Sequence, residues 1–156
     1  MKTKKSKDWV GRVKDIDELH HDSQNWLSEI EFIKDEMKFL TNLLSSHYID
    51  LMDTGRQTNI KEFVKEISVE KKTGKALYTL IHDHEKVMSD LINAKSVTTN
   101  KNYLDTHRKF EQEMIVFLRR YKKLKKGVFK MLELTMKKKH QKNLPKVEDL
   151  LKIDKE

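Results

Sequence analysis

The sequence predicts an all-α fold, an elongated antiparallel up-down-up bundle of three long helices followed by a short C-terminal helix. Two observations lead to this prediction. Apolar side chains recur at alternating spacings of three and four residues through three successive stretches, which is typical of long helices packed as in a coiled coil. In addition, four glycines and one proline among 156 residues leave few of the residues that favour strands joined by tight turns.

The first helix is predicted over residues 14–53. Its inward positions run from Ile16 to Leu51, and nearly all of them are apolar. The Asp-Thr-Gly sequence at 53–55 is expected to end this helix, because glycine tolerates the left-handed backbone conformation found at many helix C-termini.

The second helix is predicted over residues 58–95, with an inward row from Ile60 to Leu91. The polar and β-branched sequence Ser-Val-Thr-Thr-Asn at 96–100 is expected to end it and to start the next helix. Three residues interrupt the apolar row: Glu70, Gly74 and His84.

The third helix is predicted over residues 100–139, and its apolar stripe is broad enough to contact two neighbouring helices. Pro145 suits the first turn of a short C-terminal helix over 146–154. The central row of the third helix contains His107, Met114, Tyr121, Val128 and Thr135.

The chain is expected to form a single domain over residues 14–140. A basic lead-in, 1–13, precedes this domain, and a short helix or tail, 141–156, follows it. Short connections between the long helices require consecutive helices to run in opposite directions. Three such helices can close a core alone, although an open side would favour dimerisation.

Composition excludes several kinds of site. The chain has no cysteine, so disulfides, thiolate metal sites and cysteine nucleophiles are absent. It contains no apolar run of the roughly 20 residues that a membrane span needs, and its first residues lack the apolar segment of a signal peptide. We therefore expect a soluble cytoplasmic protein without membrane insertion.

Four polar residues are predicted to lie near one level of the bundle. Counting outward from the turn at 96–100 places His84 opposite Glu111, with His107 close to both and His20 within one to two turns. Two imidazoles and one carboxylate would suit a divalent metal ion, Fe, Mn or Zn. The alternative is that the buried histidines hydrogen-bond to Glu111 and Ser23 and thereby fix the helix register.

The same count gives two further expectations. Glu70 is predicted to lie opposite Lys125, where an ion pair would neutralise it. Gly74 is predicted to face Tyr121, where the missing side chain would make room for the ring.

Charge is distributed unevenly along a chain whose net charge is +8. Residues 14–53 hold ten acidic and three basic side chains, whereas residues 101–146 hold fifteen basic and four acidic ones. A basic helix would bind nucleic acid or another polyanion without sequence specificity. Two alternatives stay open, pairing with the acidic first helix and binding of an acidic protein. The candidate polyanion-binding residues are Arg119, Arg120, Lys122, Lys123, Lys126, Lys130, Lys137, Lys138 and Lys139.

No catalytic motif of known specificity occurs in the sequence. We therefore favour a non-enzymatic helical-bundle protein that binds or scaffolds a protein partner or a second copy of itself, while an enzymatic role is left open. The two alternative functions are a metal-binding bundle with an interior His/Glu site and a polyanion-binding protein that uses its basic third helix.

Overall fold

The computed structural model describes residues 14–95 and 100–143, with side chains up to residue 140. Within these ranges the chain is almost entirely helical and contains no strand, so the predicted all-α helical bundle is confirmed. The lead-in at 1–13 and the predicted helix at 146–154 lie outside the described residues. The helices are α1 (Ile16–Ser46), α2 (Tyr48–Asp53), α3 (Gln57–Asn93) and α4 (Lys101–Asn143).

The first predicted helix is broken, so the expectation of one continuous helix over 14–53 was wrong. His47 ends α1 and precedes α2, with a backbone φ of −105° and ψ of 15°. The row of buried apolar residues continues across this break, as the full burial of Leu51 in α2 shows. At its other end α1 begins with a reciprocal pair of hydrogen bonds, in which Asp15 and Glu18 each accept from the other's backbone N–H.

The connections lie close to their predicted positions. Gly55 has a φ of +76° in the turn before α3 and supplies the expected left-handed conformation. The side chain of Asn100 caps α4 by accepting a hydrogen bond of 2.8 Å from the backbone N–H of Tyr103. From there α4 continues four residues beyond the predicted end, to Asn143.

Contacts between helices define their directions. In α3, Gly74 lies beside Ile30 of α1, and Glu85 bonds to His20 nearer the start of α1, so α3 runs opposite to α1. Three acidic residues of α1 and α2 contact α4, and each acid further along the chain contacts a residue further along α4. Helices α1 and α4 therefore run in the same direction. These acids, Asp22, Glu36 and Asp50, are fourteen residues apart, and their partners are His107, Tyr121 with Lys125, and Lys139.

Apolar packing is centred on α3, which lies against α1 and α4 along much of its length, whereas α1 and α4 touch each other less. The main cluster of buried side chains spans all four helices, and Phe117 at its middle is 1% exposed. A Cβ atom on Gly74 would lie 3.2 Å from the tip of the Phe117 ring. The glycine therefore makes room for a ring, although the ring belongs to Phe117 and not to Tyr121 as predicted.

The other predicted contacts between α3 and α4 are displaced in the same direction by about one helical turn. Glu70 accepts hydrogen bonds of 3.1 and 3.3 Å from Arg120, not from Lys125. His84 contacts His107, one turn before the predicted Glu111. A single error in the assumed position of the turn between α3 and α4 accounts for all three displacements.

Candidate functional site

A chain of buried polar side chains crosses one end of the bundle, and each of its three central members comes from a different helix. His84 of α3 lies with its Nε2 atom 2.9 Å from Nδ1 of His107 in α4. Nε2 of His107 lies 3.0 Å from the carboxylate of Asp22 in α1. The two imidazoles are only 5% and 3% exposed, so their polar atoms depend on these partners.

Two further residues extend the polar chain toward solvent. Lys14 lies just before α1, and its Nζ donates hydrogen bonds of 2.6 Å to Asp22 and 3.1 Å to Glu111 of α4. The lysine therefore joins the first and last helices through two carboxylates. We call Lys14, Asp22, Glu111, His107 and His84 the polar network.

Aromatic rings surround the two histidines. The ring of Tyr103 stacks on His84, with centroids 4.1 Å apart and planes 7° from parallel. Phe110 contacts the same imidazole edge-on, and Trp26 packs on His107 with centroids 4.7 Å apart. This apolar enclosure strengthens the hydrogen bonds that are made and penalises a charge without a partner.

Burial and neighbouring charge shift the proton affinities of the polar network. Burial lowers the pKa of His84 to about 4, and the adjacent His107 contributes in the same direction. Burial alone would raise the pKa of Asp22, but hydrogen bonds from His107 and Lys14 outweigh it and hold this pKa below its usual value. Burial likewise opposes the charge on Lys14, yet its two carboxylate partners raise its pKa.

These shifts determine where protons lie near neutral pH. An ionised Asp22 only accepts hydrogen bonds, so Nε2 of His107 carries a proton and donates it. The contact between Nδ1 of His107 and Nε2 of His84 also needs one proton between its two atoms, and the tautomers of the two imidazoles decide which atom donates it.

The structure brings together only two of the four residues proposed for a metal ion. His84 and His107 are in contact, whereas Glu111 bonds to Lys14 and the exposed His20 pairs with Glu85 at 2.9 Å. Within residues 14–95 and 100–143, no three His, Asp or Glu side chains converge in a way that would hold a metal. The metal site stays a prediction that this arrangement does not favour.

The hydrogen-bonding alternative is correct for the histidines but not for their partners. Ser23 has a buried hydroxyl that finds no partner among the described residues, and Glu111 does not reach either imidazole. Asp22 takes that role, although the apolar periodicity of α1 does not single it out. An acidic residue that directly precedes an inward serine was the available signal, because it lies on the flank of the buried stripe.

A second candidate site is a groove between α1 and α4 with a volume of about 590 Å³. In its wall Glu36 accepts hydrogen bonds from the Tyr121 hydroxyl at 2.9 Å and from Lys125 at 3.1 Å. Burial raises the pKa of Tyr121, and the carboxylate of Glu36 raises it further, so the phenol stays a donor. Phe32 also lines the groove and is 62% exposed.

Exposed apolar side chains continue this groove into a larger surface. Phe32 and Phe39 lie seven residues apart on α1, so they point to the same side of that helix. Ile115, Phe129 and Met136 of α4 also recur at seven-residue intervals and are 36–44% exposed, with Lys122 at the intervening position. We call these six residues, with the groove between them, the α1–α4 face.

The nine candidate polyanion-binding residues divide into two groups. Arg120, Lys137 and Lys139 pair with carboxylates of the chain, respectively those of Glu70, Glu133 and Asp50. The other six form no ion pair with any described residue and are exposed. They are Arg119, Lys122, Lys123, Lys126, Lys130 and Lys138.

Comparisons with protein-family models, with curated proteins and with solved structures found no match to this chain. Across the described part of the chain, no helix combines the length and apolar character needed to cross a bilayer.

Proposed function

We propose that this chain is a non-enzymatic helical-bundle protein that binds a protein partner, either another protein or a second copy of itself, through the α1–α4 face. One observation supports this most directly. The phenylalanines among the exposed large apolar residues of the described chain are Phe32, Phe39 and Phe129, and all three lie on this face. Contiguous exposed aromatic surface typically marks a protein interaction site. The cytoplasmic location stays a prediction.

The charged rim of the face is consistent with this role. Glu29 and Glu36 lie on the α1 side of the groove, and Lys122, Lys125 and Lys126 lie on the α4 side. Protein interfaces commonly combine an apolar centre with a polar rim, and the rim charges orient the partner. The groove thus offers an apolar contact surface, and the charges along its rim favour one orientation of the bound partner.

Site-specific crosslinking in the source organism would test the proposal. We expect a photoreactive benzoylphenylalanine at position 32 to form discrete protein adducts on illumination. The adducts should disappear when Phe39→Glu is added, because the charge disrupts the same face without disturbing the core. The matched control carries the photoreactive residue in place of Glu66, exposed on α3. Identical adducts at both positions, or none at position 32, would contradict the proposal.

Polyanion binding is a second candidate function, and the six unpaired cationic side chains of α4 favour it. We expect retention on heparin or RNA at about 50 mM salt that is lost by about 200 mM. Replacing Lys122, Lys123 and Lys126 with glutamine should lower the slope of log affinity against log salt by about 2 to 3, because each lost phosphate contact contributes about 0.7 to 0.9.

The control for that experiment removes equal charge elsewhere. Lys61, Lys65 and Lys72 are exposed on α3, and their replacement with glutamine should leave most of the slope intact. Equal losses in the two triple variants would show that only net charge matters. Absence of binding at the lowest salt would remove this candidate.

A further inference from the structure

The α1–α4 face is bordered by an acidic helix on one side and a basic helix on the other. A partner surface that complements it must therefore carry both charges, each on a defined side. Helix α1 contains seven acidic and two basic residues, whereas α4 contains fourteen basic and four acidic ones. On α1, the exposed Asp35 lies between Phe32 and Phe39 in sequence, and on α4, Lys122 lies between Ile115 and Phe129. A binding partner that matches both sides must carry the reverse arrangement.

We infer that the partner is a second copy of this chain, with the two α1–α4 faces packed together about a two-fold axis parallel to the helices. This inference rests on the proposed function, because both use the same face. An axis along the helices places α1 of each copy against α4 of the other. A two-fold axis across the helices would instead place α1 on α1 and α4 on α4, where like charges repel.

The heights of the residues agree with this arrangement. Within one chain Asp22 lies level with His107, Glu36 with Tyr121 to Lys125, and Asp50 with Lys139. A two-fold axis parallel to the helices leaves heights unchanged, so the same offset holds between copies. Asp35 therefore falls level with Lys122 of the second copy.

Apolar groups meet in the same register. Phe32 falls between the heights of Ile115 and Lys122 of the second copy, and Phe39 falls between those of Lys122 and Phe129. Each phenylalanine thus packs into a gap between side chains spaced seven residues apart, as in knobs-into-holes packing. The methylene stem of the lysine contributes apolar contact while its ammonium meets the carboxylate of Asp35.

The size of the face suits a reversible dimer. From Ile115 to Met136 the face is about 32 Å long at 1.5 Å per residue, and two helices make it about 20 Å wide. Two such surfaces bury about 1,300 Å², which is near the lower limit for specific protein complexes. We therefore expect monomer and dimer to exchange in the micromolar concentration range.

Sedimentation velocity of the full chain tests the inference. At about 50 mM salt we expect a concentration-dependent dimer, weakened at about 1 M salt because the opposing charges are screened. Phe39→Glu should abolish the dimer, and its unchanged helical circular dichroism would show that the fold persists. Val64→Glu, which introduces the same charge at an exposed apolar position of α3, is the matched control and should still dimerise.

A charge exchange tests the orientation. Lys122→Glu and Asp35→Lys should each weaken self-association at least tenfold, whereas an equimolar mixture of the two variants should recover it. The arrangement with α1 on α1 and α4 on α4 predicts no such loss for Lys122→Glu, so a fully dimeric Lys122→Glu variant would overturn the inference.

A chain that is monomeric at every concentration would also overturn it. The proposed function fails separately, through the crosslinking experiment. Adducts at position 32 with a different protein, together with a monomeric purified chain, would reject self-association while supporting protein binding by this face.

Discussion

Replacing Phe117 with alanine is expected to lower the free energy of unfolding by about 4 kcal/mol, as for other fully buried aromatic side chains. Its ring lies at the centre of the core, where α1, α3 and α4 meet, and it fills the space left by Gly74. Urea denaturation followed by circular dichroism measures the effect. Val116→Ala is the control. Val116 is the neighbour of Phe117 in sequence and is half-exposed, so its truncation should change the free energy of unfolding by less than about 0.5 kcal/mol.

A double-mutant cycle shows whether Phe117 and Gly74 form one packing unit. Gly74→Leu alone should destabilise the bundle by about 2 kcal/mol, because a Cβ already falls 3.2 Å from the ring. Combined with Phe117→Ala, the leucine occupies part of the cavity. The double variant should therefore be more stable than the sum of the single effects predicts. Strict additivity would contradict the contact.

Acidification is expected to destabilise the protein through His84. An unfolded histidine titrates near pH 6.5, whereas the folded His84 resists protonation down to about pH 4. Between these values the unfolded chain binds more protons, so the free energy of unfolding falls by roughly 1.4 kcal/mol for each pH unit of acidification. Above pH 6.5 this contribution is constant, because His84 is neutral in both states.

His84→Gln isolates this effect, because an amide can still donate a hydrogen bond to His107 but does not titrate. Urea midpoints measured from pH 7 to pH 4 should fall less steeply for this variant than for the unchanged protein. His21→Gln, which replaces an exposed histidine on α1, should follow the unchanged protein. A constant stability difference between His84→Gln and the unchanged protein at all pH values would contradict the predicted titration. The pKa of Asp22 lies in a lower range, so its own loss of charge begins only at more acidic pH.

Most of the fold was predictable from sequence because the inward positions of long helices are apolar wherever helices meet. The break at His47 was not, since the apolar spacing from Leu44 to Leu51 continues through it and no glycine or proline marks it. Periodicity records which side of a helix is buried. It does not record whether one backbone residue departs from helical geometry.

The candidate site was predicted less completely for two physical reasons. The relative heights of residues on α3 and α4 depend on the geometry of the loop that connects these helices. An error of one helical turn there led to Glu111 being predicted as the partner of His84, whereas the partner is His107. Asp22 and Lys14 were missed because they lie on the flanks of the buried stripe, where charged residues are usually solvated. Only the distance between helices decides whether a flanking charge meets a partner.

The regular spacing of Asp22, Glu36 and Asp50 also has a mechanical consequence. These acids join α1 and α2 to α4 by ionic contacts or hydrogen bonds, whereas α3 is joined to its neighbours largely by apolar packing. Salt screens partly exposed charges but hardly weakens apolar contacts. We therefore expect added salt to loosen the joint between the first and last helices more than the joints that α3 makes with either of them.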